Sequence, residues 1–113
     1  MITKELRLKK ATDFSKTYKF GQSYNHPELY IKSLKTGYKT SKFAVVIPKK
    51  VAKLAVKRNR ARRRVYEIIR VNQPNIAGGY NIIITLKSDL SSLTPSKLTE
   101  VLLKGLQKLG ITK

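Results

Sequence analysis

The run Lys57-Arg58-Asn59-Arg60-Ala61-Arg62-Arg63-Arg64 constrains this chain more than any other stretch. It lies inside a helical pattern from Val51 to about Asn72, where Leu54, Ala61, Val65, Ile68 and Ile69 share one narrow arc at about 100° per residue. Pro74 ends that pattern. One side of the helix therefore needs an apolar layer, and the other must tolerate dense positive charge. Ten basic residues fall between Lys49 and Arg70. Lys53, Lys57, Arg60 and Arg64, spaced 4, 3 and 4, form a stripe flanking the apolar arc, while Asn59, Arg63 and Arg70 point away from it. Like charges at that spacing destabilise an isolated helix. The repulsion is relieved if the stripe lies against phosphates, to which each Arg can donate two parallel hydrogen bonds. A merely solvated face is the alternative, but mixed signs would serve solubility as well, and only Glu67 offers local compensation.

The whole chain repeats that imbalance. Its 113 residues carry a formal charge of +19, which calls for a polyanionic partner, and the length suits a single domain, 1–113. Composition favours nucleic acid over a membrane surface or an acidic protein, since the apolar arc of the basic helix lacks Trp and Phe. With no Cys and with His26 as the only His, thiolate chemistry, zinc fingers and His-paired catalysis lose their basis. His26, beside Pro27, reads as a surface residue. Glu5, Asp13, Glu28, Glu67, Asp89 and Glu100 are scattered singly, which argues against a stand-alone nuclease and gives no metal-ligand set. The longest apolar run, Phe43 to Ile47, is too short to span a bilayer, and Met1 to Lys10 lacks the apolar core of an export signal. A cytoplasmic protein is expected.

Along the chain, Asp13 to Phe20 reads as a short helix with Thr12 as N-cap and Gly21 at its end. After a turn-rich stretch around Asn25 and Pro27, Glu28 to Leu34 alternates as a strand, with Leu29 and Ile31 on one face and Tyr30, Lys32 and Leu34 on the other. Lys42 to Ile47 reads as a more buried strand ending at Pro48, with Thr36 to Ser41 as a hairpin connection. Tyr80 to Leu86 is a further strand after Gly78 and Gly79, and Asp89 to Leu93 a polar loop. Thr94 and Pro95 start a last helix that runs to about Leu109, with Leu98, Val101, Leu102, Leu106 and Leu109 as its apolar stripe and Gly110 as its stop. Phe14 and Tyr18, four apart, are either core or, with Tyr30, a stacking surface for unpaired bases.

Three blocks resemble the protein subunit of bacterial ribonuclease P: Arg7-Leu8-Lys9-Lys10 with Asp13-Phe14, Tyr18 and Gly21; Pro48-Lys49-Lys50 leading to Arg58-Asn59-Arg60 and Arg62-Arg63; and Ile82-Ile83-Ile84 before a Leu-rich helix. The middle block, with its Arg-Asn-Arg signature, is the most specific. The resemblance implies an α/β (α+β) sandwich ordered α-β-β-β-α-β-α around a four-stranded mixed sheet, with a left-handed βαβ crossover, akin to the second domain of a small-subunit ribosomal protein. It implies a protein that assists, without being the catalyst, a magnesium-dependent RNA enzyme that removes the 5′ leader of precursor tRNA. Lys53, Lys57, Arg58, Asn59, Arg60, Arg62, Arg63 and Arg64 would then face the catalytic RNA. Phe14, Tyr18, Tyr30, Lys32, Lys49 and Lys50 would face the leader, with Mg2+ used mainly through the RNA and no metal bound by the protein itself. Pro48, Ala52 and Tyr66 stand where the family commonly has Ser, Gly and another Arg. A small ribosomal protein fits the composition equally well but not the signature spacing.

Overall fold

The computed structural model describes residues 6–88 and 94–112. In chain order it contains α1 (Ala11–Phe20), β1 (Gln22–Asn25), β2 (Leu29–Lys35), β3 (Lys42–Val46), α2 (Ala55–Asn72), a 3-10 turn (Gln73–Asn75), β4 (Tyr80–Leu86) and α3 (Pro95–Lys108). This is the expected α-β-β-β-α-β-α order. The four strands make one mixed sheet in the order β1-β2-β4-β3.

That order overturns the hairpin expected across Thr36 to Ser41. β2 pairs antiparallel with β4, and β3 pairs with β4 in parallel, so β4 lies between the two strands that this segment joins. Alternation tells which face a residue takes but carries no information on which strand is its neighbour. β1 is also a strand where the chain reads as turn-rich; it is short, exposed and held by its pairing with β2.

Alternation did assign the faces correctly. Leu29 and Ile31 are fully buried, and with Ile82, Ile84, Leu86, Phe43 and Val45 they meet α2 and α3 in the main core. The opposite face carries Tyr30 and Lys32, and there Ala44 and Ile83 pack with Leu8, Phe14 and Val46 in a smaller cluster under α1. The sheet is thus covered on both faces, which suits the continuous Ile82-Ile83-Ile84 run of its inner strand β4.

Helix ends explain the remaining differences. α1 starts at Ala11 after Lys10, with no side-chain cap, so Thr12 lies within its first turn instead of capping it. α2 begins at Ala55, because Pro48 to Lys53 form a turn in which the Val51 and Ala52 amides both donate to the Pro48 carbonyl. Leu54 becomes the residue preceding the helix and is 58% exposed, outside the core to which its spacing assigned it. Ala61, Val65 and Ile69 are buried as expected, and Tyr66 joins them. α3 is capped as expected, with the Lys97 amide donating to the Thr94 hydroxyl at 3.2 Å. It ends at Lys108, one residue before Leu109, and Gly110 takes the left-handed φ of 75° that lets the Ile111 amide close back on the Leu106 carbonyl. Gly105, inside α3, sits so close to the sheet that a Cβ there would lie 2.6 Å from Ile31 Cδ1. The loop expected at Asp89 to Leu93 lies outside the described residues.

Candidate nucleic-acid interface

The face of α2 turned away from the sheet carries two charged flanks. Lys53, just before the helix, with Lys57, Arg60 and Arg64 makes the first, and all four side chains are exposed. Arg60 and Arg64 line an open groove together with Arg63 and Glu67. Glu67 accepts a hydrogen bond from Arg70 Nε at 3.0 Å and forms an ion pair with the same guanidinium. Hydrogen bonding from Arg70 holds the Glu67 carboxyl below its ordinary value. Arg70 is engaged in this way, whereas among the described residues no carboxylate makes an ion pair with Arg60, Arg63 or Arg64.

The second flank is concave. Asn59, Arg62, Arg63 and Tyr66 of α2 and Arg7 of the N-terminal segment line a hollow of about 440 Å³. Arg62 Nη1 donates to Asn59 Oδ1 at 2.9 Å. Arg7 is fixed from its backbone: it bridges in parallel to Phe43 at the edge of β3, and the Leu8 amide donates to the Phe43 carbonyl at 2.8 Å. Its guanidinium carbon stands 5.3 Å from the centre of the Tyr66 ring.

Arg58 behaves differently from the rest of the signature. Its Nη1 donates to the Ala52 carbonyl at 3.0 Å and to the Lys53 carbonyl at 2.8 Å. It turns toward the buried side at the start of α2 and ties down the turn that carries Lys49 and Lys50.

The second set of expected residues divides between core and surface. Phe14 is half-buried in the small cluster with Leu8, Ala44, Ile83 and Val46, while Tyr18, one turn on, is 45% exposed. Tyr30, Thr85 and Val46 stand in register on one face, a row about 10 Å across at the usual strand spacing. Lys87 reaches back over this row: its Nζ lies 5.9 Å from the Tyr30 ring centre and bonds the Asn25 side-chain oxygen. Lys32 is half-buried between Ser23 of β1 and Ile83 of β4. Because β3 and β4 run in parallel, Lys49 and Lys50 follow β3 at the same end of the sheet as Lys87 follows β4. The turn they occupy leads directly into α2, so it links the end of the sheet row, on the α1 side, to the basic helix, which packs on the other side of the sheet.

Comparison with known proteins identifies the architecture. The Ribonuclease P family model matches residues 2–110. The chain belongs to the ribonuclease P protein family. Curated relatives named ribonuclease P protein component include one from Dictyoglomus turgidum, 30% identical over 97% of this chain and 93% of its own length. Another, from Clostridioides difficile, is 42% identical over 67% of each chain. The solved ribonuclease P protein of Thermotoga maritima superposes with a TM-score of 0.81, at 28% identity, covering 90% of this chain and 96% of its own. The Staphylococcus aureus protein shares the fold, with a TM-score of 0.84 at 22% identity over 96% and 98% of the two chains.

In this ribonuclease P protein, the structure places Arg7 and Tyr66 beside Asn59, Arg62 and Arg63, and Lys87 and Asn25 beside Tyr30, neighbours that the sequence pattern does not reveal. Arg7 and Tyr66 meet only because the N-terminal segment joins β3, which neither residue's neighbours signal. Lys87 and Asn25 meet only because β1 and β4 both flank β2.

Proposed function

We propose that this ribonuclease P protein acts as a single RNA-binding domain that assembles with ribonuclease P RNA through the outer face of α2 and guides the 5′ leader of precursor tRNA along the sheet-end row. The observation that carries this reading is the outer face of α2, where among the described residues no carboxylate makes an ion pair with Arg60, Arg63 or Arg64; Lys49 and Lys50 on the turn and Tyr18, Tyr30 and Lys87 beside the sheet add to it. Guanidinium forks suit phosphates held in fixed geometry, and exposed rings suit unpaired bases. A cytoplasmic site of action agrees with this RNA chemistry, and among the described residues no helix is long and apolar enough to cross a membrane.

The protein's residues bind and orient; the bond is broken by the RNA. Among the described residues no three His, Cys, Asp or Glu side chains stand together. In this reading the magnesium of the reaction is held mainly through RNA phosphates, since Mg2+ keeps several waters and takes phosphate oxygens readily. Lys49, Lys50 and Lys87 act by drawing the leader backbone to the sheet end, which reduces the entropic cost of placing the scissile bond.

Cleavage of precursor tRNA at low magnesium by a bacterial ribonuclease P RNA, preferably from the same organism, tests this directly. Addition of the protein should restore accurate 5′ processing, and the protein without RNA should cleave nothing. A cognate RNA that gains nothing would overturn the reading.

A further inference from the structure

We propose that the hollow formed by Arg7, Asn59, Arg62, Arg63 and Tyr66 receives one unstacked nucleotide of the partner RNA, its base laid on the Arg7 guanidinium and its flanking phosphates on Arg62 and Arg63. This deepens the reading of α2 as an RNA-facing helix and rests on it.

Four observations point to a nucleotide. The hollow measures about 440 Å³, within the range of roughly 300–1,000 Å³ typical of small-ligand sites and too roomy for one phosphate. Among the described residues its lining includes three guanidinium groups and no carboxylate. The Arg7 guanidinium carbon stands over the buried Tyr66 ring, 5.3 Å from its centre, so a base arriving from outside would meet a guanidinium backed by an aromatic ring. Asn59 is held through its oxygen by Arg62, which turns its amide nitrogen the other way as a donor for a base edge.

A recess of this kind discriminates by RNA shape. Bases inside an A-form helix are enclosed by their own stack, so a paired strand can meet Arg62 and Arg63 only through phosphates, whereas a bulged or looped-out nucleotide can enter. Arg7 comes from the N-terminal segment and Tyr66 from α2, so the site exists only where Leu6–Leu8 is docked on β3. The planar guanidinium is the essential group, because a lysine at position 7 would keep the charge but offer no stacking surface.

The test uses the full chain and two hairpin RNAs that differ by a single bulged 2-aminopurine nucleotide, titrated at a salt concentration that suppresses non-specific binding. The unaltered protein should bind the bulged hairpin about tenfold more tightly than the paired one, the scale of one base stacked on a protein plane, with a change in 2-aminopurine fluorescence. Arg7→Lys should abolish the preference and the fluorescence change. Tyr66→Phe, which keeps the ring, should retain both. Equal binding of the two hairpins by the unaltered protein, or a preference that survives Arg7→Lys, would overturn the nucleotide site alone. Failure of either hairpin to bind, or binding indifferent to replacement of Arg60 and Arg64, would overturn the reading of α2 with it.

Discussion

Arg58 and Arg63 share a helix and a signature yet have different surroundings. Arg58 donates to the Ala52 and Lys53 carbonyls, so Arg58→Ala should lower stability by about 1–2 kcal/mol, as expected for charge-assisted bonds near the surface. A shifted urea midpoint with little change in the salt dependence of RNA binding would show that it holds the turn. Arg63→Ala should do the reverse. The same division separates Phe14 from Tyr18: Phe14 packs into the small cluster, while nearly half of Tyr18 faces solvent. Tyr18→Leu should therefore leave the thermal midpoint nearly unchanged and reduce the preference of the holoenzyme for precursor over mature tRNA. An equal loss for both substrates would assign the ring to structure.

At the scale of elements, α2 sets the electrostatic character of the proposed interface. Replacing Arg60, Arg63 and Arg64 together by Ala should flatten the log-log salt dependence of RNA binding by about 2 units, if each neutralises one phosphate. Glu67→Gln should move it the opposite way, by about 0.7 units, because Arg70 is then released from its carboxylate. Titration of binding against salt for both variants checks the two signs. Acid should reproduce part of the second effect: the Glu67 carboxyl has its value lowered by Arg70, so the ion pair persists through the ordinary carboxylate range and is lost only as pH falls through that depressed value. Much of α2 was legible in advance, since the 3.6-residue period that buries Ala61, Val65 and Ile69 also assigns Arg60 and Arg64 to the outside. The docking of Arg7 on β3 and the insertion of β4 between β2 and β3 were not. Both depend on pairing between segments far apart in the chain, where a period of two marks faces but leaves partners unnamed. Leu54 failed for a local reason, because Arg58 and the Pro48 turn delay the start of the helix past it.

For the molecule as a whole, a charge of +19 on 113 residues places the folded state under self-repulsion that a bound polyanion relieves. Inorganic phosphate or a short oligonucleotide should raise the thermal midpoint more than sodium chloride of equal ionic strength, by an amount that grows with the logarithm of ligand concentration. At a hundredfold excess over Kd the gain for one site is about 2.7 kcal/mol. Equal effects from all salts would reduce the phenomenon to screening. The central place of β4 has a further consequence for how such a chain is made. Every residue of β1, β2 and β3 leaves the ribosome before Tyr80 does, yet β2 and β3 never pair with each other and are joined in the sheet only through β4. The nascent chain therefore carries the outer parts of a sheet that cannot close, and its most basic helix emerges before that sheet exists. The four-stranded sheet can be completed only after Leu86 has cleared the exit tunnel.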